Sequence, residues 1–205
     1  KKYPEPDIEP EAEVEDWLTE QEQIMVLDNL PKYDQPIFDF LFLTGVRVNE
    51  ATGLQRADTN WKKGVTIIKH TRKRDGSLGI VKNKKRRGIP HAIDILECLR
   101  QTKKVFGLNK YQFINKWGRP YTDDYLRDVF YAACEETIGR KVLLKNASRH
   151  SFGMGLLKKG YDIWQVSKIM GHSNIKMTEN YVKMLGEETK GAYGRSRRVH
   201  VEHGI

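Results

Sequence analysis

Residues 61–90 read WKKGVTIIKHTRKRDGSLGIVKNKKRRGIP, and they break the texture of the chain. Gly64-Val-Thr-Ile-Ile-Lys69 is β-branched and opens on glycine, which predicts a strand. Leu78–Val81 and Arg87–Pro90 predict two further short strands, with turns at Arg74-Asp-Gly76 and Asn83-Lys84. Connections this short exclude parallel crossovers, so the segment predicts a small antiparallel sheet of about three strands.

On both sides of that sheet the periodicity is helical. Thr19 followed by Glu22 has capping-box spacing, and Ile24, Leu27 and Leu30 supply an apolar stripe that Pro31 ends. Ile37–Thr44 is a strongly apolar helix suited to the core; Gly45 interrupts it, and Val48–Leu54 resumes as a short helix. Downstream, helices are expected at Ile93–Lys104, from Thr122 to Ile138, and at Asn146–Lys159, Asp162–Met170 and Asn174–Met184, with a short strand at Tyr111–Ile114. The expected fold class is α+β, mostly α-helical with one small antiparallel sheet. Residues 1–16, acidic and carrying Pro4, Pro6 and Pro10, read as a linker. One domain is expected over 17–184, followed by a tail over 185–205.

Charge distribution narrows the function. The chain of 205 residues carries a formal net charge of +9, and its two cysteines, Cys98 and Cys134, cannot form a disulfide framework. Residues 1–22 hold nine acids and two bases, whereas Lys62 to Arg87 holds eleven bases and the single acid Asp75. Such a concentrated excess suits a polyanion partner. The longest apolar stretch, Pro36–Val46, is interrupted by Asp39 and too short to cross a bilayer. The acidic start lacks the apolar core of a signal peptide, so a reduced, cytoplasmic setting is expected, without membrane contact.

The chemistry concentrates in Asn146-Ala-Ser-Arg-His-Ser-Phe-Gly153, followed by Gly171-His172 and then Tyr181. Arg149 and His150 are expected to open a helix whose apolar face is Phe152, Leu156 and Leu157. An Arg in a first helical turn opposes the macrodipole, and an anion held there would explain it. Taken singly, Tyr181 reads as a core aromatic and His172 as a helix cap. The ordered combination with a second arginine upstream reads differently.

This combination resembles the tyrosine recombinase (phage integrase) family. Thr44-Gly45-Val46-Arg47-Val48-Asn49-Glu50 is similar to the family's first arginine motif, Thr-Gly-x-Arg-x-x-Glu. Lys82, eight residues before Pro90, stands where the family has its hairpin lysine. Asn146-Ala-Ser-Arg149-His150 resembles the second motif, His-x-x-Arg-His, with Asn146 in place of the first histidine. Asparagine can donate a hydrogen bond to a phosphate oxygen but cannot carry a proton charge. Met170-Gly171-His172 resembles the family's Leu-Gly-His, and Tyr181 follows nine residues later at the nucleophile position.

The resemblance implies a catalytic set of Arg47, Lys82, Asn146, Arg149, His172 and the nucleophile Tyr181, with Glu50 and His150 in support. It implies a DNA strand-breaking and rejoining enzyme, a site-specific recombinase or integrase working through a 3′-phosphotyrosine, with no metal and no cofactor. Relaxation in the manner of a type IB topoisomerase and a DNA-binding module without efficient cleavage are the alternatives. Lys84, Lys85, Arg86, Arg87, Arg72, Lys73 and Arg74 are expected to bind backbone phosphates of double-stranded DNA. The resemblance further implies a homotetramer in a synaptic complex, with a monomer in the absence of DNA and residues 185–205 docking on a neighbour. Family members carry an additional N-terminal helical domain, so the chain is expected to be a fragment or to have its clamp partner upstream.

Overall fold

A computed structural model describes residues 17–81, 86–101 and 110–171. The chain divides into two compact units, residues 1–151 and 152–205. The division falls inside a helix, Leu144–Lys158.

In the first unit, helix α1 (Glu20–Asp28) begins with the expected capping box, Thr19 accepting from the Glu22 N–H while Glu22 accepts from the Thr19 N–H. Its stripe differs from expectation: Ile24 is 62% exposed, and Val26 takes the buried place with Leu30. The next helix, α2 (Gln35–Thr44), runs through the core, with Phe38, Phe40 and Leu41 fully buried. Phe38 stacks on Phe130 with ring centroids 6.0 Å apart, and Phe40 tilts against Phe113 at 5.1 Å. The backbone then turns at Gly45, whose φ of 58° is left-handed and natural for glycine. A five-residue helix, α3 (Val48–Thr52), follows.

The sheet segment is more divided than the sequence suggests. Strands β1 (Thr59–Asn60), β2 (Val65–Ile68) and β5 (Arg87–Pro90) form one antiparallel sheet in the order β1-β2-β5. Strands β3 (His70–Arg72) and β4 (Leu78–Ile80) form a separate hairpin, so Leu78–Val81 pairs with residues 70–72 and not with β2. Buried Asp58 accounts for the break, holding Lys69 Nζ at 3.1 Å and His70 Nδ1 at 3.0 Å where the chain leaves β2. The Arg74-Asp-Gly76 turn closes the hairpin as expected, with Gly76 at φ 82°. The expected strand at Tyr111–Ile114 reduces to single bridges, Gln55 with Tyr111 and Ile114 with Pro120.

Helix α4 (Ile93–Gln101) packs on α2, and α5 (Asp123–Ile138) is capped by Thr122. Buried Asp34 accepts from the hydroxyls of Tyr121 and Tyr125, each at 2.7 Å, fixing the start of α5 beside α2. Helix α6 (Leu144–Lys158) starts two residues earlier than expected because Leu144 and Ala147 are buried on one face and buried Val142 anchors the chain just before it. Arg149 therefore lies in the second turn, and the macrodipole argument does not apply to it. In the second unit, Met154, Val166 and Met170 form a small core with Phe152, Leu156 and Leu157. There α7 (Ile163–Met170) is capped by Asp162 and ends at Gly171, φ 67°. The helix expected at Asn174–Met184 and the turn at Asn83-Lys84 lie outside the described residues.

Two substitutions test this packing. A Cβ on Gly53 would sit 2.7 Å from the Arg72 nitrogen and 2.8 Å from the Thr71 carbonyl carbon. Gly53→Ala should cost about 1–3 kcal/mol in urea denaturation, because backbone cannot move aside as a side chain can. Asp39 on α2 is pushed up to about 6, first by burial and then by the charges of Asp28 and Glu97. An acid raised in the fold destabilises it while ionised, and the penalty is relieved as pH falls through that value toward the ordinary carboxylate range. Asp39→Asn should raise the melting temperature at neutral pH and change it little at about pH 4.

Candidate active site

The turn between α2 and α3 gathers the charged groups. Arg47 has extended backbone at φ −70°, ψ 148°, so its N–H points along the axis of α3 without a partner inside that helix. Glu50 supplies the partner, its Oε2 accepting from the Arg47 N–H at 2.9 Å while its Oε1 accepts from Arg47 Nη1 at 3.2 Å. The Glu50 side chain is only 1% exposed, whereas that of Arg47 is 42% exposed and faces solvent.

A second cation completes the neutralisation of Glu50. Arg87 on β5 donates from Nη2 to Glu50 Oε2 at 2.5 Å and from Nη1 to Oε1 at 3.3 Å. Burial works to raise the Glu50 carboxyl, but the hydrogen bonds and charges of Arg87, followed by those of Arg47, overcome it and hold it below the usual carboxylate range. Arg87, expected to bind phosphate, is thus turned inward with its side chain 13% exposed. Strand alternation was the available signal. Arg87 lies two residues before buried Ile89, so both face inward.

Arg149 reaches the same turn from α6. It is 8% exposed, and its Nη1 donates to the Gly45 carbonyl at 2.6 Å, two residues before Arg47. The fold therefore brings Arg47 and Glu50 at the start of α3, Arg87 on β5 and Arg149 on α6 to one turn. Asn146 precedes Arg149 by about one helical turn and His150 follows it, both half-buried. The Gly45 carbonyl carried no signal in the sequence, because any backbone oxygen on a sharp turn can serve.

The remaining expected residues divide by location. Lys82, Lys84, Lys85, His172 and Tyr181 lie outside the described residues. Arg86 is exposed just before β5, and Lys73 and Arg74 are exposed at the β3–β4 turn. Arg72 is committed elsewhere, its Nη1 donating to the Tyr121 carbonyl at 2.6 Å and its guanidinium lying 5.8 Å from the Tyr111 ring centre. Among the described residues, no cluster of three or more His, Cys, Asp or Glu could hold a metal ion, and no helix is long and apolar enough to cross a membrane.

Arg149 carries a structural as well as an electrostatic burden. Arg149→Ala should lower stability by about 1–3 kcal/mol in chemical denaturation, since it removes the hydrogen-bond partner of a carbonyl in a tight turn. An unchanged midpoint would mean that water replaces the guanidinium at no cost.

Comparison with known proteins places the chain. The phage integrase family model matches residues 11–188, a span that contains Arg47, Lys82, Arg149, His172 and Tyr181. The chain is 27% identical over 174 residues to the tyrosine recombinase XerC of Bacillus pumilus, covering 80% of this chain and 53% of the relative. It thus spans about half the length of the curated relatives it matches. The fold is similar to that of the Tn1549 transposon integrase in complex with a circular intermediate DNA, with TM-score 0.69 and 22% identity over 89% of this chain and 67% of that one. It is also similar to XerA recombinase, with TM-score 0.68 and 21% identity over 88% and 66% of the two chains. With its two arginines converging on one turn and the family model spanning most of its length, the chain belongs to the phage integrase family of tyrosine recombinases.

Proposed function

We propose that this chain is the DNA-cleaving and rejoining region of a site-specific recombinase that acts in the cytoplasm on double-stranded DNA. The observation that carries the reading is the hydrogen bond from Arg149 to the Gly45 carbonyl, which brings one guanidinium to the turn that bears the other. The similarity to a recombinase and to a DNA-bound transposon integrase supports it.

A phosphodiester repels nucleophiles, and its pentavalent transition state gathers further charge on the equatorial oxygens. Arg47 and Arg149 answer that charge with fixed donor forks. The phenolic oxygen of Tyr181 releases its proton to solvent as it attacks phosphorus, and the bond to the 5′ oxygen breaks. Lys82 gives that alkoxide its proton. His172 hydrogen-bonds the phosphate or orients Tyr181, and Asn146 donates to a phosphate oxygen without changing its charge. The product is a 3′-phosphotyrosine that keeps the bond energy for attack by the 5′-hydroxyl of a partner strand. Lys73, Arg74, Lys84, Lys85 and Arg86 grip the flanking backbone. Four copies meet in the synaptic complex, each passing residues 185–205 to a neighbour.

A nicked suicide substrate tests the reading. The wild-type chain should trap a covalent DNA adduct, and Tyr181→Phe should abolish it with binding retained. Arg47→Ala should slow adduct formation by about a hundred- to a thousandfold. Near-normal cleavage by Arg47→Ala, or an adduct that survives Tyr181→Phe, would refute the assignment.

A further inference from the structure

Arg87 lies in the most basic part of the chain, the last of four successive bases from Lys84, yet it faces the interior. Both Nη groups are on Glu50, and its Nε is buried without a hydrogen-bond partner. Each Glu50 oxygen is shared: Oε1 between Arg47 Nη1 and Arg87 Nη1, Oε2 between the Arg47 N–H and Arg87 Nη2. A carboxylate this buried, paired with Arg47 alone, would draw that guanidinium inward and cancel its charge. With Arg87 present, the trio keeps a net charge of one positive unit, located on the partner that solvent and substrate can reach.

Resting on the recombinase reading above, we infer that Arg87 is a positioning residue: it occupies Glu50 so that the charge of Arg47 is not cancelled and is directed outward toward the scissile phosphate. The same contact ties β5 to the start of α3. Arg87 stands opposite Ile68 of β2, so the sheet is registered against the arginine turn. Arg87 does not contact DNA.

The test uses the full chain on the nicked substrate, with single-turnover cleavage and the salt dependence of DNA binding measured together. Arg87→Gln should slow cleavage of bound DNA by about ten- to a hundredfold, the range expected when a catalytic group is displaced without being removed. Its binding should keep the wild-type salt slope. The defect should shrink on a substrate with a neutral methylphosphonate at the scissile position, where there is less charge for Arg47 to answer. Adding Glu50→Gln to Arg87→Gln should recover part of the loss, because no unpaired carboxylate is left to capture Arg47.

A salt slope reduced by about 0.9, with cleavage of bound DNA unchanged, would make Arg87 an ordinary phosphate ligand and overturn the inference. Equal losses on charged and neutral substrates would show a merely structural role and overturn it as well. If Arg87→Gln fails to fold, Arg87→Lys decides by the same readouts, since lysine keeps the charge but cannot form the two-pronged contact. A wild-type chain that traps no adduct would be a different outcome, refuting the recombinase reading itself.

Discussion

Everything around the candidate site is organised by one backbone oxygen. Helix α2 ends in a left-handed turn at Gly45, a residue that is itself buried. A carbonyl enclosed by protein needs a donor, and Arg149 from α6 supplies it at 2.6 Å. This fixes a charged side chain, nearly buried, at the junction of two segments separated by 104 residues. The core phenylalanines set the position of α2, while buried Val142, Leu144 and Ala147 set where α6 begins. Apolar packing thus determines where the guanidinium can be, and the polar contact determines how it is aimed.

Electrostatics then separate arginines that composition makes look alike. Arg87 is consumed by Glu50 and Arg72 by the Tyr121 carbonyl, whereas the Arg47 side chain keeps a large solvent-facing area. Surface arginines gain little from ion pairs, but a carboxylate that is only 1% exposed makes a demanding partner. Two cations around one buried anion give a stable arrangement with charge to spare. The spare charge is displayed at Arg47.

Local chemistry was legible and long-range choice was not. The Thr19 cap, the apolar run of α2 and the Gly76 turn each follow from a few neighbouring residues, and each stands where the sequence puts it. The sheet was harder. Its third strand, Thr59–Asn60, is two residues long and has no signature of its own; it is recruited by pairing with Thr66 and Val65. Leu78–Ile80 has strand character, but Asp58 diverts the chain at Lys69 and hands it a different partner. Ile24 failed for a related reason, since periodicity names candidates for burial but tertiary packing buries Val26 and leaves Ile24 exposed. Of the site, the two arginines and Glu50 were singled out by the family resemblance, whereas the inward turn of Arg87 was hidden by the basic residues around it.

The asparagine at position 146 makes sense in this setting. It lies on the same helix as Arg149 and about one turn before it, half-buried. A protonated imidazole there would add a like charge beside a guanidinium already enclosed by protein, and each would raise the cost of the other. A neutral imidazole would avoid that cost only at higher pH. Asparagine offers a donor whose charge is the same at every pH, so under the proposed reading the clamp keeps its strength where a histidine would titrate. Under the same reading the site gives up a proton reservoir, since an amide cannot carry a proton charge.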